Sequence, residues 1–216
     1  MDARVIVLRD NAYSRDVGRR CVGSADIPIE TVDAVRGEDA LSTLRALGIK
    51  WTWGPGYGSL RHKPYGGDHA RRVACFLSHY MLWTECALRD EPMLILEHDA
   101  VFIRSFADFP VQDVKVACMI NDPRRATPLG DWWHREMEKR GPGIWPKTTV
   151  FEDSRPDGLA GNSAYVITPA GALWLFEIVK EIGAWPNDAL LCRQLVDGLQ
   201  EYYPYITEVR SERSTI

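Results

Sequence analysis

The sequence predicts an α/β protein whose central sheet is buried on both faces. Three observations carry that expectation. Met93-Leu94-Ile95-Leu96 is a short apolar run that passes straight into Glu97-His98-Asp99, the pattern of a strand covered on both sides. A second such run, Arg4-Val5-Ile6-Val7-Leu8, stands near the start and leads into a polar segment. Between them, Ala70 to Leu88 is apolar nearly all round at helical spacing, which marks a buried helix.

Taken in order, Arg4 to Leu8 is the first strand, and a helix follows the polar segment with Arg9, Asn11, Ser14 and Arg15. Ile27 to Ala34 is the second strand, residues 38–47 are helical, and Gly48 stops them. The glycines and proline of Trp51 to Gly58 mark a loop. In the 70–88 helix, Val73, Phe76, Leu77, Tyr80, Trp83 and Ala87 share one face, with Cys75, Leu82 and Cys86 on the other. Ser78 and His79 are the polar residues inside it, where a hydrogen-bonded core pair is the plainest role. Val114 to Ile120 forms a further strand that ends in Asn121-Asp122. Residues 123–157, with Trp132, Trp133 and His134, have no regular pattern and read as a long binding loop. The small-residue turn from Gly158 feeds a strand through Ala164 to Ile167. Thr168 then caps a helix with Pro169 at its first position. A last helix opens at Pro186-Asn187-Asp188 and runs through Leu195, and the tail from Tyr202 is polar.

A chain of 216 residues with 45% hydrophobic and 26% charged content is an ordinary single soluble domain. A net charge of −4 gives no global attraction to nucleic acid. The eight tryptophans and eight tyrosines suit carbohydrate stacking as well as core packing. Cys21, Cys75, Cys86, Cys118 and Cys192 include no CxxC pair, which argues for buried thiols in a reducing compartment and against a zinc site. The first residues lack a signal-peptide pattern and no run is long enough for a membrane span, so a cytoplasmic protein is expected.

Ligands of open α/β sheets bind outside the carboxyl ends of the strands. There, Glu97 and Asp99 either solvate a strand exit or hold a divalent metal.

The runs Ala74-Cys75-Phe76-Leu77-Ser78-His79-Tyr80-Met81-Leu82-Trp83 and Leu94-Ile95-Leu96-Glu97-His98-Asp99-Ala100-Val101 resemble the core of the family 25 glycosyltransferases. Those are enzymes of lipopolysaccharide biosynthesis and their collagen-galactosylating relatives. The resemblance implies a GT-A fold, a Rossmann-like mixed central sheet flanked by helices. Within a single domain, residues 1–101 would form the nucleotide-sugar half and 102–216 the acceptor half.

It also implies a reaction: transfer of a hexose from a nucleotide sugar, expected to be UDP-linked, to an acceptor hydroxyl with inversion. The departing diphosphate is highly charged, and a divalent cation stabilises it. Mn2+ or Mg2+ prefers oxygen ligands. Asp99 and Glu97 occupy the place of the family's Asp-x-Asp-like motif. On a continuing strand, residues i and i+2 share a face, so both would reach one metal or one ribose. His98 replaces the more usual acidic middle residue and should face the other way. Leu8, Arg9, Asn11, Arg15, Ala34, Ser78, His79, Glu97 and His98 are expected around the nucleotide sugar. Asp188, at a helix start, is the expected general base, with Asp122 as the runner-up. Asp122, Asn162, Ser163 and Trp133 are expected around the sugar or acceptor. The late metal-binding histidine of many GT-A enzymes is absent after His134: either Glu212 or Ser214 of the tail is a donor, or the metal has fewer protein ligands, or the activity does not depend on metal, or the copy is inactive.

Two alternatives share these residues: a catalytically silent sugar-nucleotide-binding protein on the same fold, and a transferase acting on hydroxymethylated DNA bases through Arg71, Arg72, Arg124 and Arg125. A glycan or a protein hydroxyl is the expected acceptor ahead of DNA. A nucleotidyltransferase would need a glycine-rich phosphate loop, and Arg9 to Arg20 holds only Gly18.

Overall fold

A computed structural model describes residues 1–52, 69–126, 129–149 and 162–210. Its elements are β1 (Asp2–Val7), α1 (Ala12–Ser24), β2 (Glu30–Asp33), α2 (Gly37–Ala46), α3 (His69–Arg89), β3 (Met93–Glu97), β4 (Ala100–Phe102), β5 (Ala117–Met119), β6 (Asn121–Asp122), α4 (Gly130–Arg140), β7 (Gly143–Pro146), β8 (Ala164–Ile167), α5 (Pro169–Ile182), α6 (Asn187–Leu190), β9 (Gln200–Tyr203) and β10 (Thr207–Val209).

Seven strands form a mixed sheet in the order β2-β1-β3-β8-β5-β9-β7. β1 is parallel to both β2 and β3, β8 runs antiparallel to β3 and β5, and β7 runs antiparallel to β9. This is the mixed α/β architecture with flanking helices that the sequence predicts. The three parallel strands come from residues 1–101 and the other four from the rest of the chain, within one continuous sheet.

Alternation along each strand divides the core. Ile95, Met119, Tyr165 and Ile167 pack with α2, α3 and α5 on one face. Val5, Val7, Leu94, Leu96, Cys118 and Val166 pack with Cys21 of α1 and Phe102 of β4 on the other. Both faces are therefore covered, which is why Met93 to Leu96 is apolar without interruption. Gly18 lets α1 come down on the sheet: a Cβ there would lie 2.7 Å from Val7 Cγ2 and 3.8 Å from His98 Cβ. Gly171 does the same for α5, where a Cβ would meet the Val116 carbonyl oxygen at 2.1 Å. Thr168 caps α5, its Oγ1 accepting from the Gly171 N–H at 3.0 Å, with Pro169 next.

Four expectations are corrected. The strand expected at 114–120 is shorter: β5 stays in the main sheet, whereas β6 joins a small second sheet, β4-β10-β6. The region 123–157 is less irregular than predicted, since it contains α4 and the edge strand β7. The tail contributes β9 and β10. The last helix ends at Leu190 instead of Leu195. The loop residues Trp53 to Gly58, the turn Gly158 to Gly161, and Glu212 and Ser214 lie outside the described residues. Among the described residues all five cysteines are free, and no helix is long and apolar enough to cross a membrane.

Candidate active site

The carboxyl ends of β1, β2 and β3 lie at one edge of the sheet because the three strands are parallel. Four hydrogen bonds shape this edge. The Ala34 N–H donates to the Val7 carbonyl at 2.9 Å, drawing the β2 exit against β1. The Ser78 hydroxyl accepts from the Val35 N–H at 2.9 Å and donates to the Ala74 carbonyl at 2.8 Å, which pins α3 to the β2 exit. After β1, the Leu8 N–H donates to Ser14 Oγ at 2.9 Å.

The expected nucleotide residues that follow β1 are largely engaged with the chain itself. Asn11 caps α1, its Oδ1 accepting from the Ser14 N–H at 3.0 Å. Arg15 donates to the Arg9 carbonyl, and Arg9 pairs with Asp33 at 3.1 Å. These contacts hold the loop in shape and leave the exposed Arg9 guanidinium beside the β2 exit.

Glu97 is the last residue of β3 and keeps the strand's alternation, so it lies on the α3 face. Its Oε1 is 3.4 Å from His79 Nε2, and its Oε2 accepts from Ser163 Oγ at 3.4 Å. Its own N–H donates to the Ser163 carbonyl at 2.8 Å. The antiparallel pairing of β8 with β3 thus places Ser163, which follows Asn162, beside Glu97. Burial pushes the Glu97 carboxyl upward, but the His79 hydrogen bond and charge, with His98 and Ser163, outweigh it and hold the group below its ordinary value.

His98 and Asp99 form a turn, so the strand argument that placed Glu97 and Asp99 on one face is corrected. The turn directs His98 toward Gly18 of α1, and the charge of Asp99 acts on the buried Cys21 of α1. Burial, and then the neighbouring charge of Glu97, push the Asp99 carboxyl up to about 7. Its Oδ1 is buried without a hydrogen-bond partner. The Arg210 N–H donates to the Asp99 carbonyl at 3.1 Å and brings the end of β10 to the same turn. An unpartnered buried carboxylate oxygen next to an ionised carboxylate fits a hard divalent cation.

Asp188 is exposed on α6, and its charge acts on Cys75 of α3 together with that of Glu97. Burial and these two acids hold the Cys75 thiol well above its ordinary range. The sulfur, a His79 ring nitrogen and a Glu97 oxygen lie within 4.8 Å of one another. Sequence reasoning treated Cys75 as a buried small hydrophobe, and this is corrected: it is half-buried in the site. The signal was present, since Cys75 and His79 are four apart on one helix and so share a face. Tyr165 was also missed. Its hydroxyl accepts from Trp83 Nε1–H at 2.8 Å and bonds His79 Nδ1 at 2.9 Å, orienting the imidazole toward Glu97. Cys86, Cys118 and Cys192 are buried as expected, and Cys21 is buried as well.

Asp122 and Trp133 are carried by β6 and α4. Trp133 is 5% exposed, donates its indole N–H to the Thr148 carbonyl at 3.3 Å and has Lys147 over its ring, so the sugar-stacking expectation is corrected to a packing role. Asp122 lies on β6, separated from β4 by β10. It accepts from Arg124 Nε and Nη2 and from the Arg124 N–H, and it is 3.2 Å from His134 Nδ1. A cavity of about 270 Å³ lined by Asp122, Arg124, Arg125 and Glu208 opens there.

Burial raises the Asp122 carboxyl, but the Arg124 bonds and the His134 charge win and depress it. A depressed folded-state value stabilises the fold above the unfolded value and is lost as pH falls through the folded one. The melting temperature of the native chain should therefore exceed that of Asp122→Asn at neutral pH. Below about pH 4, the unfolded carboxylate value, the gap should close. Melting curves at neutral and acid pH check this, and a pH-independent gap would contradict it.

The family model for glycosyltransferase family 25 (LPS biosynthesis protein) matches residues 5–117. The chain belongs to this family. It is 36% identical over 107 residues to human procollagen galactosyltransferase 2, an alignment covering 47% of this chain and 16% of the human protein. An apo structure of mouse xyloside xylosyltransferase 1 superposes over 88% of this chain and 80% of its own, at 9% identity and a TM-score of 0.44.

Proposed function

We propose that the protein transfers a hexose from a nucleotide sugar, UDP-linked, to an acceptor hydroxyl with inversion, assisted by Mn2+ or Mg2+. The observation that carries this reading is the pair of acids at the β3 exit. Ionised Glu97 and the buried, unpartnered Oδ1 of Asp99 stand where three parallel strands end. Galactose is the first sugar to test, because the human relative is named a procollagen galactosyltransferase. A protein hydroxyl or a glycan is the acceptor class, ahead of modified DNA, given the net charge of −4.

The residues divide the work. The β1 and β2 exits, with Leu8, Arg9 and Ala34, form the nucleotide side, and Ser78 holds the β2 exit in place. His79 and Ser163 keep Glu97 charged and oriented. A cation held by Asp99, with Glu97 reaching it through water or holding the ribose, would neutralise the diphosphate as its bond to the sugar breaks. Asn162, with its buried Oδ1 unpartnered, offers a contact to the sugar. Asp188 accepts the proton of the acceptor hydroxyl as that oxygen attacks the anomeric carbon from the side opposite the diphosphate.

UDP release from UDP-galactose and other nucleotide sugars, with Mn2+ present, tests the reading. If a panel yields neither release nor a thermal shift, it fails. Asp188→Asn should bind UDP and Mn2+ as the native chain does, yet lose about a hundredfold or more in transfer, the scale of a lost general base. Unchanged turnover would remove Asp188 from that role.

A further inference from the structure

We infer that Cys75, His79 and Glu97 form a site for a thiophilic divalent cation of the Zn2+ class, whose occupancy competes with the hard-cation site for Glu97. The three donors are a sulfur, an imidazole nitrogen and a carboxylate oxygen, drawn from two elements that the core holds rigidly together. Cys75 and His79 stand one turn apart on α3, and Glu97 ends β3. Their ligand atoms lie within 4.8 Å of one another, and tetrahedral zinc with bonds of 2.0–2.3 Å needs donors roughly 3.5 Å apart. The His79–Glu97 separation of 3.4 Å already meets that spacing. A change of Cys75 rotamer supplies the rest.

Two further features match what such a cation needs. Metal-bound histidines are oriented by a hydrogen bond at the other ring nitrogen. His79 Nδ1 bonds the Tyr165 hydroxyl at 2.9 Å, and Trp83 donates to that same hydroxyl at 2.8 Å. The site also has an opening. Cys75 is half-buried and the Glu97 side chain is 26% exposed, while His79 is 1% exposed beneath them. Three protein donors leave one tetrahedral position for water, and the acid of Asp188 adds negative charge near the sulfur.

Softness separates this site from the one proposed for the sugar-nucleotide reaction. Thiolate and imidazole select Zn2+, whereas carboxylate oxygens suit Mn2+ and Mg2+. Glu97 is the one residue common to both. Binding forms the metal–sulfur bond as the thiol proton passes to solvent, with no change of oxidation state. A zinc ion here withdraws Glu97 from the diphosphate-side cation, so micromolar-class Zn2+ should inhibit transfer at fixed Mn2+. The inhibition rests on the proposed function. The binding does not.

The test is therefore spectroscopic first. CoCl2 titrated into the intact chain should produce the near-ultraviolet absorption of a Co2+–thiolate bond, saturating at one equivalent and displaced by one equivalent of ZnCl2. Cys75→Ser should abolish that absorption although four other cysteines remain. Glu97→Gln should weaken Co2+ binding by more than about tenfold, the least that losing a group that merely orients a ligand costs. Asp99→Asn should leave the absorption intact. If Cys75→Ser fails to fold by circular dichroism, Zn2+ protection of Cys75 from alkylation, read by peptide mass, replaces it. Absorption that survives in Cys75→Ser, a native chain that shows none, or alkylation of Cys75 unaffected by Zn2+ would overturn the site. A Co2+ absorption without any transfer activity would instead overturn the function and leave the site standing.

Discussion

Replacing Asp99 with asparagine is expected to abolish Mn2+-dependent UDP binding and to cut sugar transfer by more than about a hundredfold, beyond the 10–100-fold cost of losing a group that merely orients a metal ligand. The side chains have the same shape, so the change isolates charge. In the folded chain, burial and the Glu97 charge push the Asp99 carboxyl up to about 7. A raised acid value favours the protonated group in the native state, so the ionised form costs stability as pH rises from the unfolded value near 4. A neutral amide at this position removes that cost, and Asp99→Asn should melt no lower than the native chain at neutral pH. The measurement is the UDP-induced thermal shift with and without Mn2+, beside UDP release from UDP-galactose. A Mn2+-dependent shift that persists in the variant would show that Asp99 is not the ligand.

Lys147→Met is expected to destabilise the fold by about 3–5 kcal/mol, the usual cost of stranding one partner of a buried ion pair. The Lys147 and Glu201 side chains are 2% and 1% exposed, and Nζ lies 3.0 Å from Oε2. Glu201 also accepts from the Thr148 N–H at 3.2 Å and from the Tyr205 hydroxyl at 2.6 Å. Removal of the ammonium leaves a carboxylate in the fold's interior with two neutral donors. For a chain this size the melting temperature should fall by roughly 10 °C. The double variant Lys147→Met with Glu201→Gln should recover most of the loss, since the amide oxygen accepts from the Thr148 N–H and the amide NH2 donates to the Tyr205 hydroxyl oxygen. A shift of only a degree or two in Lys147→Met would mean that water reaches Glu201. This pair lies where β7 leaves its pairing with β9, so the expected failure is local to that edge of the sheet.

How much could be read in advance depended on how local each signal was. β1, β3, α3 and α5 were legible because their hydrophobic period, and the Thr168-Pro169 start of α5, are written in adjacent residues. β7, β9 and β10 were not. They are three or four residues long and partly exposed, and they exist because each finds a partner distant in sequence, as Ile144 does in Tyr202. The same distinction runs through the site. Glu97 was expected at the metal and nucleotide, and Asn162 and Ser163 at the sugar or acceptor; the antiparallel pairing of β8 with β3 sets Ser163 against Glu97. Trp133 looked like a sugar platform from its residue type, but α4 turns it inward. Cys75 looked inert because nothing nearby in the sequence marks it as part of a set with Glu97.

The sequence by itself determined the α/β class, the central strand, the buried helix across it and the family, since these follow from periodicity and from the contiguous motifs at 74–83 and 94–101. Only the tertiary structure decided that the two acids of the motif part company at a turn, with Glu97 held by His79 and Ser163 and Asp99 directed toward α1. Only it brought the sulfur of Cys75 to that same carboxylate. The physical reason is range. A strand's alternation is a property of neighbouring residues, whereas the environment of a carboxylate is set by whatever the packing of distant helices places against it.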